Sequence, residues 1–404
     1  MRLLLLAALA AAPARALEWT PIGSVQALGG FHSFNGDRGA LSGNVDAVFA
    51  PAARIDEDWS LLPSARASFE GARRVVDVLG TATPAQERAE FKAGVRAVWA
   101  SPLSRWRLKP GFSYKTTFLR ETKDEDWGKG LFDERLLTVG GEAELLTVEP
   151  HSARASLDWF TASYPNYTTL ESQAALQFMG QPLARELVGD HALDRDGFRL
   201  GLAFDAPAGE RVRLDAGFST VWSRYAQQNV IGDDGQFEGD GREDFLTSFT
   251  AAARMPHEWN ADLRALGSLT FGAGFLASNQ NGYDATRGRF LPKFYDYREL
   301  SVAPAARLLF GPEREPVTLD LGVAWRRRVY SRRPPQDGTG AYQGGSLSST
   351  EWTVTATAAY PVARHFSVVV AVERASASSN QRFERYYRYA YEATSVLSGV
   401  RWDF

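Results

Sequence analysis

The sequence predicts an all-β fold: a single antiparallel up-and-down transmembrane β-barrel of about sixteen strands, with short turns at one rim and long loops at the other. Three observations predict it. Apolar and polar side chains alternate through segments of ten or more residues. Seven prolines (Pro51, Pro102, Pro150, Pro207, Pro256, Pro312 and Pro361) recur 51, 48, 57, 49, 56 and 49 residues apart. Aromatic residues reach 12% and glycines 36, yet mean hydropathy is only -0.28. No stretch offers the roughly 18 consecutive apolar residues that a membrane helix needs.

From the N-terminus, Arg2 precedes an apolar run over Leu3–Ala12, and Ala14-Arg15-Ala16 forms a small-x-small site. Residues 1–16 therefore read as an export signal peptide, and 17–404 as the barrel. A retained helix would be too short and is interrupted by Pro13. The chain has no cysteine, which excludes disulfides, thiolate metal sites and a lipid on cysteine. Net charge is -3 with no basic block, so nucleic acid is not an expected partner.

The alternation is clearest in four segments. Residues 90–99 set Phe91, Ala93, Val95, Ala97 and Trp99 against Glu90, Lys92, Gly94 and Arg96. Residues 211–222 set Val212, Leu214, Ala216, Phe218 and Trp222 against Arg211, Arg213 and Asp215. Segments 317–326 and 351–360 behave likewise, the latter with Trp352, Val354, Ala356, Ala358 and Tyr360 opposite three threonines. Period two means strand, and one polar face means one wet side. Proline has no N–H for a ladder, so the repeating prolines mark tight connections. Between them lie longer polar segments near 35–40, 76–88, 121–131, 165–194, 227–243, 278–296, 333–349 and 376–390. Eight long loops and seven short turns give sixteen strands. A propeller blade would place four short strands in each period instead. Trp99, Trp106, Phe204, Trp222, Phe310, Tyr360 and Tyr391 fall at strand ends, where a barrel carries its aromatic girdles.

The face inferred to line the lumen carries Arg66, Glu70, Arg74, Lys92, Arg96, Arg107, Lys109, Lys115, Arg199, Arg213, Asp215, Arg264, Arg307, Asp320, Arg326 and Arg328. Cations outnumber acids there. Two readings follow: a path favouring anions, or a salt-bridged filling of the interior. Loop 165–194 has apolar spacing that suits short helices, and it could fold into the pore or cap it from outside. The loop with Asp233, Asp234, Glu238 and Asp240 could hold Ca²⁺, although most such loops are simply solvated.

The last strand runs from Tyr391 to Phe404, with Val396, Ser398, Val400, Trp402 and Phe404 on one face. This resembles the C-terminal signature of outer-membrane barrels, which the barrel-assembly machinery reads; Tyr391, Val400, Trp402 and Phe404 are its candidate residues here. The stretch Ser379-Asn380, Tyr387, Tyr389, Val396, Gly399-Val400, Trp402 and Phe404 resembles the closing hairpin of sixteen-strand barrels that export exopolysaccharide or handle surface lipoproteins. Those families usually place a helical-repeat domain before the barrel, whereas alternation here begins almost at residue 17. The resemblance implies the outer membrane, with lipid and lipopolysaccharide as surroundings.

The expected function is a channel, by porin-like diffusion or export, for a polar solute or glycan, with a preference for anionic ones. The candidate pore-lining residues are Arg66, Arg96, Arg107, Lys115, Arg213, Arg264, Arg307, Arg326 and Arg328. No cofactor is expected. One alternative is a non-conducting adhesion barrel, acting through Tyr386, Tyr387, Tyr389 and Tyr391 with Arg382, Arg385 and Arg388. Another is a lipid or peptide hydrolase. Of the five histidines only His32 lies within a strand, and no nucleophile or metal motif accompanies it.

Overall fold

A hydrogen-bonded strand spends one side chain in two on each face, and sixteen such strands close on themselves here. The computed structural model describes residues 18–404 except 38, 79–80, 102, 147–150, 169–175, 179–180, 184–189, 285–287 and 385–387. The expected signal peptide lies outside the described residues, as do Pro102, Pro150, Arg385, Tyr386 and Tyr387. Among the described residues there is no helix.

The barrel strands are β1 Gly23–Phe34, β2 Ala40–Phe49, β3 Trp59–Glu70, β4 Glu87–Ala100, β5 Trp106–Arg120, β6 Glu134–Leu146, β7 Ser152–Ser163 and β8 Arg195–Ala208. There follow β9 Val212–Ile231, β10 Phe237–Asn260, β11 Leu263–Ser278, β12 Tyr297–Phe310, β13 Val317–Tyr330, β14 Ser348–Ala363, β15 Phe366–Ser379 and β16 Tyr391–Asp403. Each pairs antiparallel with the next, and β16 returns to β1 from Ser24–Asp403 to Phe34–Ala393. A further strand, Glu18–Thr20, pairs with Ala52–Arg54 beside the β2–β3 turn.

One face of every strand carries large apolar side chains into the surroundings. Phe31, Val45, Phe112, Leu157, Phe198, Phe249, Phe271, Val354 and Val396 are all exposed on it. A soluble protein does not leave such a belt open; hydrocarbon covers it. Facing side chains meet across the ladder, as in the stacked pair Phe198–Trp222, with ring centroids 6.0 Å apart. Val400, Trp402 and Phe404 lie on this outer face. Tyr391 does not. It is an odd number of residues from Trp402, so its ring turns inward and stacks on Phe34 at 6.0 Å.

Three local expectations are corrected. Pro207, Pro256 and Pro361 sit inside ladders, opposite Arg213, Leu266 and Ser367, rather than in the turns. A strand residue offers its N–H to one neighbour only, so a proline removes a single bond of a long ladder. The short turns instead rely on left-handed residues, Gly209, Gly311 and His365. Segment 227–243 is mostly strand: β9 and β10 run on to a tight turn at 232–236. Polar residues suit a strand that has left the membrane and meets water. In loop 165–194 the described residues show a small hairpin, Leu176–Phe178 against Gln181–Leu183, where helices were expected. Edge-to-edge backbone bonds satisfied this short apolar stretch better than an isolated helical turn.

The β1–β16 seam leaves no room for a side chain at two points. A Cβ at Gly399 would lie 1.9 Å from the Ala27 carbonyl oxygen, and one at Gly30 would lie 2.1 Å from that of Val396. Gly399→Val should therefore cost on the order of 1–3 kcal/mol. On a heat-modifiability gel, the compact form should be lost at a lower temperature than in the parent barrel.

Candidate functional site: the lumen and its inward hairpin

The chain between β3 and β4 does not stay outside. Arg74–Val78 pairs with Thr81–Ala85 as a hairpin, from Arg74–Ala85 to Val78–Thr81. Its stem is tied to the wall, where the Gly71 N–H donates to the Gly43 carbonyl at 2.9 Å and that of Gln86 to Arg120 at 2.7 Å. From there it crosses the interior. The Arg73 guanidinium lies 4.9 Å over the Phe34 ring of β1, and Arg74 meets Glu373 of β15 at 3.2 Å. Asp77 reaches Arg328 of β13 at 2.7 Å. Around the ring, β13 is six strands away from β3. The hairpin thus obstructs the lumen, one of the two placements expected for loop 165–194, half of which lies outside the described residues. Alternation alone placed Arg74 on a wall strand; it stands on this hairpin instead.

The inner wall is a network of ion pairs. Arg66 binds Asp46 at 2.8 Å, and Lys115 binds Glu134 at 2.8 Å. Lys109 lies between Glu142 at 2.7 Å and Glu144 at 2.8 Å, with Arg107 3.9 Å from Glu144. The Arg213 Nε donates to both Asp205 oxygens, at 2.9 and 2.8 Å. Arg264 is 3.9 Å from Glu313, and Arg307 binds Asp320 at 2.5 Å. Arg326 binds Glu351 at 2.7 Å, and Arg328 adds Glu299 at 2.9 Å while covering the Tyr297 ring at 4.2 Å. Of the nine candidate pore-lining residues, Arg96 alone forms no ion pair among the described residues. Acids in register on the neighbouring strands offset most of the cations. Glu134, Glu142 and Glu144 alternate with outward residues on β6, so their parity was the available signal.

His32 Nδ1 lies 2.9 Å from Ser395 Oγ, and both residues are buried. That is hydrogen-bond reach for a base and a nucleophile. No carboxylate among the described residues bonds the other ring nitrogen, which faces the backbone of Arg73. The nearest charges are the cations Arg73 and Arg74. Ser395 therefore lacks both access and an orienting acid.

The outer loops are packed rather than splayed. Arg242 is buried between the rings of Tyr225 and Tyr295, at 4.5 and 4.4 Å, and chelates Asp244 at 3.0 and 2.8 Å. Tyr389 is likewise an internal strut, its hydroxyl accepting from Arg333 at 2.9 Å. In the acidic loop, the Asp234 carboxylate is spent on the Gln236 N–H at 3.0 Å. Among the described residues, no three acidic or histidine side chains gather to hold a metal ion.

No family model matches the sequence, and no curated protein does. Solved structures do. OmpT of Vibrio cholerae, an outer membrane protein in its trimer form, is 9% identical with a TM-score of 0.45, over 96% of this chain and 100% of that one. Pseudomonas aeruginosa OccD3 is 10% identical with a TM-score of 0.45, over 97% and 93%. A bacterial polysaccharide outer membrane secretin is 7% identical with a TM-score of 0.45, over 95% and 98%. The closed ring and its apolar belt carry the assignment. The chain is an outer-membrane β-barrel.

Outside the membrane, the loop after β5 holds two carboxyl groups whose pKa burial pushes up, Glu121 and Asp133, with the Glu125 charge acting in the same direction on both. A carboxyl raised in the folded state favours the protonated fold. The loop should tighten as pH falls through the raised values and loosen as pH rises past them. Amide protection factors over 121–133, which divide out the intrinsic pH dependence of exchange, should be higher at about pH 4.5 than at about pH 8, and Glu125→Gln should narrow that difference.

Proposed function

We propose that this barrel is a diffusion channel for small polar solutes across the outer membrane, with hairpin 74–85 as its constriction. The observation that carries the reading is the Asp77–Arg328 pair, which holds the hairpin tip against the far wall. A wet, charged interior narrowed at one level suits selection by size and charge. A polymer conduit would need that cross-section clear, so the obstruction favours small solutes over export of a long glycan. Arg96, Arg326 and Arg328 lie along the proposed path, and the other candidate arginines and lysine shape its field through their acid partners. Val400, Trp402 and Phe404 form the outward stripe that we propose is read during assembly, in a bilayer whose outer leaflet is lipopolysaccharide.

Adhesion through the loops is disfavoured because Tyr389 is buried and Tyr391 points inward. Hydrolysis is disfavoured because the His32–Ser395 pair is closed to substrate. Reconstituted in planar bilayers, the folded barrel should give unit current steps. Replacing residues 74–85 by a short Gly-Ser linker should raise unit conductance on the order of twofold, since current follows open cross-section. Asp77→Asn should add open-state noise at a similar mean. A folded barrel that passes no current would remove the proposal.

A further inference from the structure

We infer that the wall formed by β4 and β5 carries a binding site for the carboxylate or phosphate groups of a small anionic solute, centred on Lys92. The inference deepens the channel reading by naming a solute class, and rests on that reading for access to the site. The register places Arg66, Lys92 and Lys115 directly opposite one another on three adjacent strands, all facing inward. Neighbouring strands lie about 4.8 Å apart, and like charges facing each other at that spacing repel. The outer two are relieved, Arg66 by Asp46 and Lys115 by Glu134. Lys92 is exposed to the lumen and, among the described residues, forms no ion pair. A wall on which most cations are neutralised pair by pair leaves its most crowded one without an acid partner.

The space beside it is open. Gly94 separates Lys92 from Arg96 on one face of β4, and Gly111 lies opposite Arg96 on β5, with Gly140 opposite Gly111 on β6. This patch has a floor without side chains, and Ser64, Ser113 and Thr138 supply hydroxyls at its border. Lys92 and Arg96 stand about 13 Å apart along the strand, so their long side chains can converge on a group held over Gly94. Arg199, also exposed and without an ion pair, closes the far side. Asp158 sits opposite Arg199, and Glu142 is engaged by Lys109. Both acids lie toward β6 and β7, and Glu90, two residues from Lys92 on the same face of β4, is engaged by Arg88 at 2.7 Å, which sets the anion on the Gly94 side of Lys92. A solute with two or three carboxylates matches Lys92 and Arg96 together.

The test uses citrate as the probe, with the full chain folded in detergent at low ionic strength. Calorimetry should show saturable citrate binding, weakened about tenfold by Lys92→Gln and kept by Lys92→Arg, as for one charge-assisted contact. Arg96→Gln should weaken it too, and serves if Lys92→Gln does not fold. In bilayers, Lys92→Gln should shift the reversal potential in a salt gradient toward cations. Equal citrate binding by the parent and both Gln variants, or none by the parent, overturns the site. Currents without citrate binding would sink the site and leave the channel; binding lost at Lys92 without any current would sink the channel and leave the site.

Discussion

In hydrocarbon no water is available to a free N–H or carbonyl, so a sheet can cross only when its last strand bonds to its first. The β1–β16 ladder meets that demand here, and the remaining structure depends on it. Closure sets the circumference, which fixes a lumen wide enough to admit a hairpin. It also divides every strand, where it crosses the membrane, into a lipid face and an inner face. The cost is local crowding at the seam, accepted by using glycine where two backbones approach too closely for a Cβ.

The inner face then poses an electrostatic problem. Arginine and lysine stems project into a confined space where charges interact more strongly than in bulk water. Most find carboxylates on adjacent strands, so the ladder that holds the backbone also pairs the side chains. The hairpin uses the same chemistry. Arg74 and Asp77 bind wall residues of opposite sign, and Arg328 serves both the hairpin and Glu299. The hairpin is held by the Asp77 pair toward its turn, by the Arg74 pair at its first rung and by backbone bonds at its root.

Above the membrane, order comes from guanidinium groups placed against tyrosine rings. Arg242 lies between Tyr225 and Tyr295, and Arg333 lies over Phe294, Tyr330 and Tyr389. Planar cations against aromatic faces, with their remaining N–H groups bonded, can be buried at tolerable cost. They add to a small apolar cluster in the loops, where Tyr167, Ala192 and Leu193 pack with Leu131 and Phe132.

Alternation by itself determined the fold, because period two with one polar face is a local property that each strand displays separately. It also named the outward stripe of the last strand and the inward cations Arg96, Arg326 and Arg328. It erred where a residue's surroundings come from distant strands. Tyr391 looked like a girdle residue by position, and Pro256 looked like a turn residue by type. Only the tertiary structure decided which cations are neutralised, since Arg328 meets Asp77 across some 250 positions of chain. It also decided that the short segment 74–85 enters the lumen. Pairing partners and the inward path of a loop depend on closure, a long-range condition that no window of sequence contains.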